Sequence, residues 1–518
     1  MGKFKDIILP LLLLCVITGY SQTQIDYRSD FGRVYPDNPN DIVLTKNVVF
    51  THKDMIMYCD SAIYNQKDNY FNAYTNIRMY QGDTVSLFGD ELYYDGQAEI
   101  GELFGRQVIL KDNDVTLTTD YLILDRGVNT VSYYSDAVIW NAEDTLSSRE
   151  GTYYIDDEVF EFLHNVVLNA DKGRLTTDTL VYNSKTKQAE FRSDSSVLII
   201  YDDTIREDST VVISDYGKYN SDKEEVYSDS RPLVYMKDRF MTADTVYYDR
   251  KNKNGYAYGN VYAEDTVKKI FLDSDTLELN TQDTLSVMFI TGNIFVRQAD
   301  KEDTVYIHSD TVHIIMDTSF NLKYINAYDH FKFYRHDIQG ACGYMSYNKA
   351  DSSVTMLKRP VLWTEDTQLT SDTVIMLTDE KNIKELYMNP NVFILQNSDT
   401  NTQEYFNQVS GKNLKGYFAK NKLYYAVIEG NTRCIYFIWD ENKKKKTKKL
   451  TGVNIGLSKS LELYFKNGEL KRMSAVKDAE FYMDSYKSIP QEERRLRGFI
   501  NSGTDRPRTP YDVFIKRP

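Results

Sequence analysis

Aspartate is the chemically active residue that recurs with regular spacing in this chain of 518 residues. Asp90, Asp120, Asp178, Asp244 and Asp275 each open nearly the same short phrase, as in Asp178-Thr-Leu-Val-Tyr182-Asn183. Spaced carboxylates of this kind serve either as calcium ligands or as the acid and base of a hydrolase. Calcium needs a loop of alternating oxygen ligands around a glycine, and no D-x-D-x-D-G loop or glycine-rich nonapeptide occurs in the sequence. The Asp-Thr pairs at Asp83, Asp144, Asp265, Asp303 and Asp366 have a plainer use, because Asp and Thr hold turns with their own side chains. Acidic pairs are so frequent that none stands out as a catalytic pair. The histidines are His52, His164, His308, His313, His330 and His336. His308 and His313 lie five apart on strand-like sequence, which sends them to opposite faces and makes no metal pair. No G-x-S-x-G, H-E-x-x-H or phosphate loop is present. The expectation is a protein without catalytic residues, metal or cofactor.

The phrases matter more as architecture. Their anchors fall at positions 60, 90, 120, 150, 178, 215, 244, 275, 310, 343 and 372, with Glu150 and Gly343 replacing Asp. A period near 30 signals one supersecondary unit stacked many times. Two places after each anchor stand Ala62, Leu92, Leu122, Thr152, Leu180, Gly217, Val246, Leu277, Val312, Met345 and Val374. Four places after stand Tyr64, Tyr94, Leu124, Tyr154, Tyr182, Tyr219, Tyr248, Leu279, Ile314, Tyr347 and Met376. The intervening positions are mixed, so each phrase predicts a half-buried strand with one apolar face. A second strand follows in each copy, as at Gly259-Asn260-Val261, Gly292-Asn293-Ile294 and Pro390-Asn391-Val392. Gly-Asn ahead of an apolar run suits a bulge or tight turn. Each repeat is therefore strand, turn, strand, turn. Two strands per repeat build two facing sheets, either closed on a core or open as a groove.

Composition agrees. Tyr (42) and Phe (24) are abundant and Pro (10) is scarce, which favours strands. The net charge of −14 argues against nucleic-acid binding. Lys3 and Lys5, the apolar run from Ile7 to Ile17, and Gly19 and Ser21 form an export signal with cleavage after Ser21. The run is too short to span a bilayer. Past it, Cys59, Cys342 and Cys434 are too few and scattered for a disulfide framework. The basic run Lys443 to Lys449 is a hairpin tip, with anionic lipid phosphate as its alternative use.

The alternation of D-T-[LV]-x-Y-[DN] and G-N-[VI] strands resembles the OstA-like family, the periplasmic bridge proteins of lipopolysaccharide transport and the N-terminal segment of their outer-membrane partner. The resemblance covers about residues 40–400. It continues into a diverged copy from Tyr405 to Phe418, and Leu496-Arg-Gly-Phe499 with Arg506-Pro507 is similar to the tail of long single-chain members. It implies an all-β fold, an elongated twisted β-jellyroll of about 30-residue repeats, with an apolar interior groove. It implies a periplasmic location, possible association with the outer membrane, and no enzymatic activity. Its implied partners are lipopolysaccharide or a related lipid, and transport-pathway proteins or a second copy joined end to end by strand addition. The groove candidates are Leu92, Leu122, Leu124, Leu180, Val246, Leu277, Leu279, Val312 and Ile314.

The expected organisation is a leader over 1–21, the repeat array over 22–400, diverged repeats or a capping β unit over 401–485, and a poorly ordered tail over 486–518. Two other classes fit a β repeat. A structural or adhesive surface solenoid would close on a dry core. A secreted carbohydrate-acting β-helix enzyme would need Asp, Arg or Lys clustered on one outward face, and positions one and three of the phrases hold only scattered Thr, Tyr, Glu and Lys.

Overall fold

The computed structural model describes residues 24–514, except 83, 113–114, 141–143, 202–208, 300–302, 380–381, 400–401, 403, 420–421, 443–446 and 467–468. The leader and the start of the basic run lie outside the described residues. The chain divides into two compact units, 1–198 and 199–518. Among the described residues the regular structure is antiparallel strand, with two short 3-10 turns at Gln491–Arg494 and Pro510–Phe514. Each unit is a β-jellyroll of bent strands.

In the first unit Asn38–His52, Met55–Asn65, Tyr70–Gln81, Val85–Asp95, Ile100–Asp112 and Val115–Asp125 pair in chain order, each antiparallel to the last. Every pairing shifts register midway, as between Thr45 and Val48 or Tyr74 and Ile77. The shift divides each strand into two limbs. Farther along, the limbs of Val115–Asp125 take separate partners, Thr130–Tyr133 and Ala137–Trp140. The second unit repeats this design in Asn254–Asp265, Ile270–Thr281, Ser286–Ala299, Thr304–Met316 and Leu322–Tyr334. Both limbs send apolar side chains into one core: Ala257 and Val261 come from the two limbs of one strand, Ile290 and Ile294 from those of another.

The repeated Asp makes the bend. Corner residues occur as consecutive pairs with positive φ, among them Thr75 and Asn76, Gly259 and Asn260, and Gly292 and Asn293. Asn tolerates this conformation better than most residues with a Cβ. The Asn side chain then reaches the anchor Asp of the neighbouring strand. Asn260 Nδ2 donates to Asp244 at 2.8 Å, Asn391 to Asp372 at 2.7 Å, and Asn293 to both oxygens of Asp275 at 3.0 and 3.1 Å. Asn76 bonds Asp60 in the same way, and the backbone N–H of Arg106 bonds Asp90. Glycine precedes two of these Asn residues because a Cβ at Gly259 or Gly292 would lie 2.4 or 2.2 Å from an Asp244 or Asp275 oxygen. The anchors are therefore clasps that fix the corner between two limbs.

The extra residue at the corner also changes the placement of His308 and His313. Their spacing predicts opposite faces, but the register shifts between His308 and Thr311. Ile307, Val312 and Ile314 turn to the core. Both histidines turn away from it, His308 toward Phe514 and His313 toward Phe289 and Tyr328.

The largest departure from the sequence reading is the tail. Prolines and mixed charge predict poor order over 486–518, yet within the second unit residues 486–514 form a strap across the outer face of successive strands. Ile489 packs with Ile435, Phe437 and Val453. Phe499 packs with Phe393, Leu395 and Phe406. Phe514 meets Phe295 at 4.6 Å and His308 at 5.1 Å. Two buried glutamines act as cleats. Gln408 donates to the Arg494 carbonyl and accepts from the Leu496 N–H at 2.9 and 2.8 Å. Gln368 donates to the Ile500 carbonyl and accepts from the Ser502 N–H, both at 2.8 Å. The physical reason for the strap is the apolar outer face formed by these Phe, Leu, Ile and Val residues, which would otherwise meet water.

Candidate binding groove

The space between limbs is the place where this fold could hold a ligand, and the two phrase positions line it differently. Position two sits deep. Leu92, Leu122, Leu180, Val246, Leu277 and Val312 are all buried. Position four varies from copy to copy, from exposed Tyr154 to buried Met376. Tyr64, Tyr94 and Leu124 are buried, whereas Tyr182, Tyr219, Tyr248, Leu279, Ile314 and Tyr347 are half-buried. A bent strand explains the difference, because position four is two residues farther from the corner and nearer the lip.

In the first unit the start of the interior is filled. Phe50 and Phe71 stack at 3.9 Å with 8° between planes, and Tyr94 lies 5.3 Å from Phe71. The Tyr94 hydroxyl meets His52 Nδ1 at 2.8 Å, so this deep ring keeps a polar partner. Burial pushes the Tyr94 hydroxyl up to about 12. At the start of the array Ile25 is buried, and its N–H donates to Asn69 Oδ1 at 3.1 Å. Ile25 also contributes its carbonyl to the Tyr64 hydroxyl at 3.4 Å. That end is closed by the chain's own residues.

In the second unit the core runs through Leu277, Ile290, Val312, Met345, Val374 and Leu414 and on to Leu463. Here it opens into a cavity of about 360 Å³. Leu369, Ile394, Val409, Ala426, Leu463 and Phe465 supply much of its apolar lining, and Thr364, Gln396, Lys422 and Arg506 are among its polar residues. None of the nine sequence candidates lines this cavity, although Val246, Leu277, Val312 and Ile314 belong to the same apolar cluster. The signal in the sequence was the strand alternation that continues past residue 401, as in Asn407-Gln-Val409 and Leu461-Glu-Leu463. Cys434 is also in the wall. All three described thiols are free and buried. Burial raises Cys59 and Cys342 to about 12 and Cys434 to about 11, so none is poised as a nucleophile. Among the described residues, no group of three or more His, Cys, Asp or Glu stands close enough to hold a metal ion.

Comparison with known proteins gives two family matches. Residues 28–178 match the model for OstA-like protein, and residues 271–382 match that for the LptA/(LptD N-terminal domain) LPS transport protein. No curated protein matches. Among solved structures, the chain is similar to LptH from Pseudomonas aeruginosa, described as the LptA homologous periplasmic component of the lipopolysaccharide transport device. The two share 12% identity with a TM-score of 0.21, over 22% of this chain and 82% of that one.

Proposed function

The chain belongs to the OstA-like family of lipopolysaccharide-transport proteins, and on that premise we propose that its interior shelters lipid acyl chains and relays them toward the outer membrane. The observation that carries this reading is the apolar cluster of the second unit, which extends from copy to copy and opens into the 360 Å³ cavity. Sheltering is a matter of solvation, not bond chemistry. Each methylene kept from water is worth about 0.8 kcal/mol, so a chain of many methylenes cannot cross an aqueous space bare. Similar Leu, Val, Ile and Met side chains in successive copies offer many near-equal resting places, which suits transfer better than one deep minimum. A half-buried tyrosine at position four offers an apolar ring together with a polar hydroxyl, the combination that suits the boundary between an acyl chain and a sugar.

The proposal includes export to the periplasm and contact with neighbours through strand edges. In the first unit the strands Asp26–Arg28 and Phe31–Tyr35 pair, among the described residues, only with Asn38–His52 and leave Phe31 and Val34 exposed. In the second, Glu480–Asp484 pairs, among the described residues, only with Thr447–Lys466 and leaves Tyr482 and Met483 exposed. Open edges accept a further strand from a pathway partner or a second copy.

The filled start of the first unit's interior favours a second reading there, a closed structural solenoid. Photo-crosslinking in cells separates the two. A photoreactive residue at Leu277 or Leu122 faces inward, and one at Glu278 or Ile123 serves as the outward control. The transport reading expects light-dependent lipopolysaccharide adducts at 277 and not at 278. Adducts at neither position of a folded protein reject it. Adducts at 277 without adducts at 122 assign the first unit to the closed reading.

A further inference from the structure

The strap does more than cover an apolar face, because it brings a cation to the cavity. Arg506 lines the cavity, although the wall it joins belongs to strands more than thirty residues earlier in the chain. Its Nε donates to Gln339 Oε1 at 2.8 Å and its Nη1 to the Glu365 carbonyl at 2.5 Å. Both acceptors are neutral, and among the described residues no carboxylate forms an ion pair with it. Arg has five N–H donors, so donors remain for a ligand. Burial is the main influence on the group and lowers its pKa, and the neighbouring Arg508 cation lowers it further. Asp366 opposes that effect from nearby. Asp337, also in the lining, is already held by Arg335 through two bonds. The lining also includes Lys422, and Leu369, Ile394, Val409, Leu463 and Phe465 give it hydrocarbon.

We propose that this cavity is a binding site for the single hydrocarbon chain of an anionic amphiphile, with a phosphate or carboxylate received by Arg506. The proposal rests on the reading that acyl chains enter between the limbs, and it adds what selects them. A planar guanidinium fits a phosphate or carboxylate through paired N–H bonds. An apolar cavity with a few placed polar groups is the ordinary form of a small-ligand site. The strap thereby becomes part of the site, and a chain that lost it would lose head-group selectivity along with its cover.

The test uses the full exported chain and three probes of equal chain length: a single-chain lysophosphatidic acid, a fatty acid and a neutral monoacylglycerol. Binding is read by titration and by protection of Cys434 from a thiol reagent in mild urea. The expected result is tighter binding of the two anionic probes than of the neutral one, by tenfold or more. R506Q should remove that preference and R506K should keep part of it. Met473→Trp, which fills the cavity, should abolish binding of all three. Preference for the phosphate over the carboxylate points to a lipid head group, and the reverse to a free fatty acid. Equal binding of anionic and neutral probes by the unaltered protein overturns the proposal, whatever R506Q does to the strap. An anionic preference that survives intact in R506Q also overturns it. If no probe binds while lipopolysaccharide still crosslinks at 277, this site fails and the transport reading stands. If crosslinking at 277 fails as well, the transport reading falls with it.

Discussion

Replacing Asn293 tests the account of the corners, because two effects act there with separable sizes. Asn293 has φ of 44° and donates to both oxygens of Asp275 at 3.0 and 3.1 Å. A hydrogen bond to a charged group is worth about 1.5–3 kcal/mol, and exposure reduces this one to about 1 kcal/mol. A residue with a Cβ and no compensating bond costs about 1–2 kcal/mol in the left-handed region. N293A suffers both losses, about 2–3 kcal/mol. N293G loses the bond and is freed from the conformational cost, but gives back about 0.4–1 kcal/mol through the entropy of its unfolded chain. N293G should therefore be the milder change, the reverse of the usual order for a strand. The chain has two units, so a single unfolding midpoint is not a defined quantity. Native-state hydrogen exchange over Ile270–Thr281 and Ser286–Ala299 reads the local opening free energy instead. The pair D275A and N293A should also couple, so that the double variant costs about 1 kcal/mol less than the sum. Alanine milder than glycine, or strict additivity in the cycle, would refute the clasp.

Phe71→Ala should destabilise the first unit by about 3–5 kcal/mol, since the ring is fully buried and stacked on Phe50; exchange protection in Tyr70–Gln81 checks this. The three thiols should resist alkylation at pH 8 in the native protein and react on unfolding, as mass spectrometry of the trapped chain will record. Their raised values add an alkaline trend. The unfolded thiols ionise near 9 while native Cys59 and Cys342 hold their protons to about 12, so this contribution is whole below pH 9 and is lost as pH rises toward 12. A stability curve flat across that window contradicts it. Gln408→Ala leaves the Arg494 carbonyl and Leu496 N–H without their partner, at about 1–3 kcal/mol, and should make trypsin cut the native strap after Arg494 or Arg495.

The sequence carried the strand period and the inward positions because those follow from the alternation of single residues. Leu92, Leu122 and Leu180 are buried where a period of two places them. The Asp anchors were equally visible, but their partner was not. The Asn that each Asp holds lies 16 to 19 residues away, at 260 for 244, 293 for 275 and 391 for 372, and only the paired strand makes them neighbours. The histidine faces were misjudged for a related reason, since one bulge reverses every later face and bulges leave weak sequence marks. The strap was illegible in principle. It crosses strands and so buries Ile489 and Val513 and half-buries Leu496, Phe499 and Phe514 at spacings that match neither a helix nor a strand. Its prolines spoke for the absence of strand pairing, and that is a different property from the absence of packing.

The strap also bears on how a repeat array can be selective at all. Copies of one phrase give copies of one environment, which favours passage of a chain and works against recognition of its head group. A head group must be read by something outside the repeat. In the second unit that element is the segment after the last strand, which returns along earlier copies and docks on buried side chains the phrase does not prescribe, Gln339, Gln368 and Gln408. These glutamines break the apolar rule of the outer face one copy at a time, and each break is a place where the returning chain is fixed in register. Fixing the register is what sets Arg506 at the cavity, since a slip of one copy would carry the guanidinium away from the Glu365 carbonyl. The cleats and the cation are thus one device. Its parts should fail together: Gln368→Ala with Gln408→Ala should weaken anionic probes more than neutral ones, even though neither glutamine carries charge.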